Sequence, residues 1–400
     1  MFKSFSLPLA FASAAFVSLS SPVFALDGAD MAAKLNAAFA VSGAKLDYSG
    51  VQVDGTTVTI NSVKFSGSGD SSEALALGDI VFSGVKESDT GGYDVETVKF
   101  MDVDYSDAEK NGVTVRAIAI DGLVIPGKAD PSTLDGSVLY TSAHTGPISI
   151  RNKGVEVVLA DSIESTMSIA DDQSTVDTTL KLTGLKADMT QDNDPKTKEL
   201  VEKLELQTIT GDVNLEGSWE IATGKIDVST FAIDLAKIGR LEFAFTLSGY
   251  TTDFIKGMNE AIKLSNENAD KAAGQQAMGM SMMGLMQQLT FEGALIRFDD
   301  ASITQRLLAY FGQQQGMSAE DMAKSLSGMI PIMMAQLNVP DLQNQVTEAA
   351  NTFLADPKSV EISALPEKPV PFPQIMGAAM GAPTSIPALL GVTVTANQEE

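Results

Sequence analysis

Two stretches, YDVETVKFMDVDY from Tyr93 to Tyr105 and VTVRAIAIDGLVI from Val113 to Ile125, share one internal spacing. In each, an apolar residue is followed by any residue and a second apolar one. Two arbitrary residues then precede the next pair: Tyr93, Val95, Val98, Phe100, Val103, Tyr105, and Val113, Val115, Ile118, Ile120, Leu123, Ile125. Strict alternation would bury one face of a flat strand, and every extra residue reverses that parity unless the backbone absorbs it. A β-bulge absorbs it by taking up one residue while the apolar side stays on its face and the twist increases. The spacing therefore predicts long, bulged, curved strands.

The same rhythm extends outward. Upstream it includes Leu46, Tyr48, Val51 and Val53, then Val58, Ile60, Val63 and Phe65, then Leu75, Leu77, Ile80, Phe82 and Val85. Gly50, Gly84 and Gly122, with Asp102 at the equivalent place, occupy extra positions, where tolerance of positive φ is expected to matter. Asp54-Gly55, Gly67 to Gly69, Gly91-Gly92, Asn111-Gly112 and Pro126-Gly127 punctuate the rows as turns. An antiparallel meander fits this pattern. A pentapeptide-repeat solenoid has a similar rhythm but needs a small residue at one inner position, where this chain has Val, Leu, Ile and Tyr.

The expected fold class is α+β: a long, bulged, mostly antiparallel meander forming a curved sheet, followed by a helical, Met-rich final third. Four regions follow: a signal peptide at 1–25, the β-rich meander at 26–190, a helix with hairpins continuing the sheet at 191–250, and a helical region with a Pro-rich strap at 251–400. The meander opens on an amphipathic helix, Ala29 to Val41, with Met31, Leu35, Ala38 and Phe39 on one side. In the last third Thr252 is read as a helix cap, Ser302 with Gln305 as a capping box, and Ser318 with Asp321 as a third cap. Twelve of the 18 Met lie at or after Met278. Met packs adaptably, so these helices suit either a forgiving core or a pliable apolar lining. The candidate ligand-lining residues are Met278, Met282, Met283, Met286, Met329 and Met333.

Composition mainly excludes. With no Cys there is no disulfide, thiolate metal site or Cys nucleophile. One His, His144, leaves a single imidazole. A net charge of −25 is unsuited to nucleic acid. The acidic clusters Asp102-Asp104-Asp107 and Asp188-Asp192-Asp194 lack the Gly and closing Glu of a calcium loop. No G-x-S-x-G, Walker loop, dinucleotide fingerprint or H-E-x-x-H occurs, and the chain is read as non-catalytic, with no cofactor. Met1 to Lys3, the uncharged run Leu7 to Leu19 and Val23-Phe24-Ala25 form an export signal with cleavage expected after Ala25. The expected compartment is the periplasm of a Gram-negative bacterium or the medium outside. No stable transmembrane segment is expected after cleavage, because Gln interrupts Ala272 to Leu289 and Pro383 and Pro387 split Ile375 to Val394.

From Leu289 to Asn397 the chain, including RFDDASITQRLLAYFGQQQGMSAEDM and FLADPKSVEISALPEKPVPFPQIMGAAM, resembles the C-terminal part of uncharacterised secreted proteins of alphaproteobacteria. It is also similar to the tail of YdgA-like periplasmic proteins, and the bulged strands resemble AsmA-like envelope proteins in style. The resemblance implies a β-rich, non-catalytic periplasmic protein of envelope maintenance. AsmA-like proteins keep an N-terminal anchor, unlike the cleaved start expected here. Two functions are expected from these readings. One is binding of a lipid or other amphiphile between curved sheet and Met-rich helices. The other is a structural or interaction protein of the envelope, with a packed core and envelope proteins as partners.

Overall fold

A computed structural model describes residues 26–398, apart from 42, 68–73, 131, 192–193, 269 and 336–338. The expected signal peptide, Asp192 and part of the Gly67 to Gly69 turn lie outside the described residues. Those described build one curved, open antiparallel sheet of 21 strands, with helices before it and inserted between its strands.

Helix α1 (Gly28–Ala40) leads into β1 (Lys45–Asp47) and β2 (Gly50–Asp54), which share the partner β3 (Thr57–Ser66). The sheet proceeds through β4 (Leu75–Ser83), β5 (Lys86–Glu87), β6 (Tyr93–Phe100), β7 (Val103–Ser106), β8 (Gly112–Val115) and β9 (Ala119–Ile125). Then follow β10 (Ser142–Thr145), β11 (Ile148–Asn152), β12 (Val155–Ala160), β13 (Ser162–Ile169) and β14 (Thr175–Asp188). After α2 (Pro195–Lys203) come β15 (Thr208–Glu220), β16 (Lys225–Leu235) and β17 (Gly239–Ser248). Many labels are halves of one long strand broken at a bulge: β6 pairs with β9 while β7 pairs with β8, and β10 and β11 pair with β13 and β12. The interrupted rhythm thus marks bulges in a meander, and the antiparallel pairing removes the solenoid.

The extra residues are held in a recurring way. Ser62, Ala117 and Gly184 have φ of 53°, 50° and 67°. Each donates its backbone N–H to an aspartate on the neighbouring strand: Asp79 Oδ1 at 2.8 Å, Asp102 Oδ1 at 3.0 Å and Asp212 Oδ1 at 2.9 Å. A bulge leaves an amide outside the ladder, and a carboxylate satisfies it. Gly84 and Gly122 also have positive φ, as expected. Gly50 and Asp102 do not. Asp102 accepts the bulge amide of Ala117 instead of forming the bulge itself.

The final third holds most of the helices, as expected, and it also adds four strands to the sheet. β18 (Thr290–Asp300) pairs with β17, and β19 (Ser359–Ala364) and β20 (Val370–Pro371) both pair with β18. β21 (Val392–Ala396) completes the sheet on β19. The helices are insertions between these strands. α3 (Thr252–Glu267) and α4 (Lys271–Met286) join β17 to β18. α5 (Ile303–Gln314), α6 (Ala319–Met334) and α7 (Pro340–Ala355) join β18 to β19, and α8 (Phe372–Gly381) with α9 (Ile386–Leu389) joins β20 to β21.

Two of the expected caps move. Thr251, not Thr252, caps α3 by accepting from Phe254 N. The N–H groups of Ser302 and Thr304 go to Asp300, while Ser302 makes no side-chain cap bond. Ser318 does accept from Asp321 N, at 3.1 Å. The β21 edge is covered by α7, whose Gln345 Oε1 accepts the Val394 N–H at 3.0 Å, so that edge is not left open for pairing.

Candidate functional site

Cross-strand partners share a face of a sheet, so the register shows what that face carries. One row crosses the whole sheet: Val53, Val58, Phe82, Val98, Ile120, Ala143, Ser165, Leu180, Leu215, Phe231, Phe243, Ile296, Ile362, Val394. At the usual spacing of ~4.8 Å per strand the row is about 60 Å long. Ser165 is its only polar member. In the later strands a parallel row, Leu182, Val213, Ile233, Leu241, Phe298, Val360, Ala396, is wholly apolar. So is a further one, Ile169, Val176, Trp219, Ile226, Leu247, Phe291, Val370. Trp219 is a sheet residue there, its Nε1 donating to Tyr250 O at 2.9 Å.

The opposite face is polar. Its matching row reads Lys181, Asn214, Ala232, Glu242, Arg297, Glu361, Thr395. Arg240 pairs with Asp234 at 2.7 Å and Glu242 at 2.8 Å, and Arg297 with Asp299 at 2.8 Å. Water is thus met by ion pairs on one side, and a continuous apolar trough occupies the other.

The trough is covered unequally. Over the first strands α1 lies on it, burying Met31, Ala32 and Leu35 against Val58, Phe82, Tyr93, Val98 and their neighbours. Gly28 permits this approach, since a Cβ there would sit 2.6 Å from Val53 Cγ2. The Tyr93 hydroxyl donates to Asp30 Oδ2 at 2.7 Å, and Lys34 pairs with the same carboxylate. The hydrogen bonds from Lys34, then Tyr93, hold Asp30 below its usual range, while burial pushes the Tyr93 phenol well up. Val58, Phe82 and Val98 are 0%, 2% and 1% exposed, whereas on the same apolar face Phe245 is 40%, Ile296 44% and Ile362 46% exposed. The trough is filled over β3, β4 and β6 and open over the later strands. Its open part, from Leu180 to Val394, is about 29 Å long and carries the stacked rings of Phe231 and Phe243.

The residue types that suggested a Met lining sit elsewhere. Met278, Met282, Met283 and Met286 are on α4, which packs against α3. Met329 and Met333 are on α6, which packs against α5 and α7. Met278, Met282 and Met286 are half-buried, while Met283, Met329 and Met333 are exposed. The two groups belong to separate helical insertions. The sheet residues Phe231, Phe243, Phe245, Ile296 and Ile362, missed as a site in the sequence, are those that line the trough.

Other places hold committed groups. A depression of about 690 Å³ at the strand ends is lined by Lys186, Asp212, Asp234 and Arg240, among others. Asp212 there serves the Gly184 bulge and Asp234 pairs with Arg240. His144 Nδ1 is 3.9 Å from Asp121, whose oxygens accept from Thr97 and Ser142. Asp102 and Asp104 face Arg116 and Arg151. Among the described residues no group of three or more His, Asp or Glu is placed to hold a metal ion, and no helix is long and apolar enough to cross a membrane.

A family model described as "Uncharacterized protein" matches residues 232–397. No curated protein matches the chain. The matched stretch runs from β16 past β21 and so includes part of the open trough and all the late helical insertions, but not α1 and its core. It covers the Leu289 to Asn397 stretch that carries the resemblance to uncharacterised secreted proteins, and its description names neither YdgA-like nor AsmA-like proteins.

Proposed function

We propose that this is an exported, non-catalytic periplasmic protein that binds a lipid or similar amphiphile, laying its hydrocarbon in the open part of the trough, and so supports the cell envelope. The supporting observation is the exposure of Phe245, Ile296 and Ile362 on an apolar face whose earlier strands bury Val58, Phe82 and Val98. Large contiguous apolar surface left to water marks a binding site far more often than a resting state. The open rows carry no charge, so they recognise chain and not headgroup. The export signal and the resemblance from Leu289 onward support the compartment.

The test is mass spectrometry of organic extracts from protein purified out of cell envelopes. A chain-bearing lipid is expected with the wild type and is expected to be lost in Ile296→Asp, whose side chain is exposed enough to leave the fold in place. An empty wild-type extract, together with no retention of a fluorescent fatty acid, would sink the reading.

A further inference from the structure

Charged residues make up 20% of this chain, yet there are none between Lys271 and Glu292 and none between Lys368 and Glu399. At the chain-wide frequency about ten would be expected in those two segments. The fold brings the segments together. The first is α4 beyond its first residue, Lys271, with the start of β18, the second is β20, α8, α9 and β21, and β18 pairs with β20 through Thr290 and Phe291 opposite Pro371 and Val370. The Phe372 N–H also donates to Leu289 O at 3.0 Å. The C-terminus of α4 and the N-terminus of α8 therefore leave the sheet at one point.

Both helices are also largely uncovered. α8 has no buried residue, and in α4 Gly274 is the buried one among the described positions. Met280, Met283 and Met380 are 65%, 60% and 86% exposed. This charge-free end adjoins Leu247, Phe291 and Val370, the last apolar row of the trough.

We propose that the end of the sheet bearing α4 and α8 docks onto the uncharged surface of a lipid bilayer. A protein partner requires only the centre of its contact to be free of charge, because the rim of such an interface is polar and wet. Entry into a lipid interface penalises every charged side chain on the inserted segment, so the depletion has to run along whole segments. It does so here. Uncharged amides such as Gln275 and Gln287 are tolerated at the level of the headgroups. The chain's net charge of −25 sets the bilayer type: the lysines around this end, Lys256 and Lys263 on α3, Lys271 and Lys368, are matched in number by Asp253, Glu260, Asp270 and Glu367, so anionic headgroups repel the body. The docking does not depend on what the trough carries, although it would present the open trough to a source of lipid.

Flotation of purified protein with vesicles of zwitterionic phosphatidylcholine tests this. The wild type is expected to float, to do so undiminished at high salt, and to float less as anionic lipid is added. Met280→Asp, Met283→Asp and Met380→Asp together are expected to lower the partition at least about tenfold. An equally charged control with Gln52→Asp, Ser168→Asp and Asn344→Asp, at exposed positions on other elements, is expected to float like the wild type. The inference is overturned if the wild type stays at the bottom, if the triple Met variant floats as well, if the control loses flotation equally, or if only anionic vesicles bind. Wild type that floats but yields no extractable lipid and retains no fluorescent fatty acid upholds docking and removes the trough reading. A lipid-loaded protein that does not float does the reverse.

Discussion

The strands around Phe82 and those around Phe245 belong to one sheet, follow one pattern and show the same apolar side, yet one region is a core and the other an open surface. What differs is a single helix. α1 places Met31, Ala32 and Leu35 over the first rows, and burying side chains such as Met31 and Leu35 contributes about 1.5–3 kcal/mol each. Among the described residues no corresponding buried cluster forms over the later strands, where the helices are inserted between strands and pack chiefly on one another and on the β21 edge. Strand patterning specifies a face, and a separate element decides whether that face becomes core.

The comparison can be broken most directly by matched truncations. Phe82→Ala should cost about 3–5 kcal/mol, as a fully enclosed Phe does. Phe245→Ala should cost about 1–1.5 kcal/mol, because much of its ring already meets water. Equal costs in chemical denaturation would mean that the open region is filled in solution. A smaller effect sharpens the role of α1. Tyr93→Phe removes the donor to Asp30 and should cost about 1 kcal/mol, a value reduced by the partial exposure of that carboxylate. Hydrogen exchange should then quicken in α1 and stay unchanged in β15 to β17.

The smallest expected effect is that of acid. Asp30 is depressed below its ordinary value of 3.8 in the folded state by Lys34 and Tyr93. Its contribution is therefore complete above 3.8 and is lost as pH falls through the lower folded value. Protection of α1 amides should drop as pH falls below 3.8, before the open strands change; loss beginning in β15 to β17 instead would show that α1 is not the acid-sensitive element.

Much of the sheet was legible because bulges leave a trace: five-residue spacing at Tyr93 to Tyr105 and Val113 to Ile125 has no simpler antiparallel explanation. The aspartates that hold the bulges were not legible, since Asp79 and Asp212 look like any solvated acid until the neighbouring strand is in place. β18 was hidden between helical segments, and its partner β19 lies beyond α5 to α7. The trough was not singled out for a related reason. Met-rich runs announce apolar helices, while Phe231, Phe243 and Ile296 read as ordinary core, because whether anything covers them is a tertiary property.

The succession of strands has a further consequence, for assembly. In every long row each strand lies beside its predecessor, so the sheet can grow one hairpin at a time from α1 and its core, with short loops to close. β17 must wait for α3 and α4 to be made before β18 reaches it, and β18 must wait for three more helices before β19 does. Those are the two longest pauses, longer than the ones for α2 before β15 and for α8 and α9 before β21, and they leave a bare apolar edge exposed in a half-made chain. They are the points at which such a protein would most need an escort.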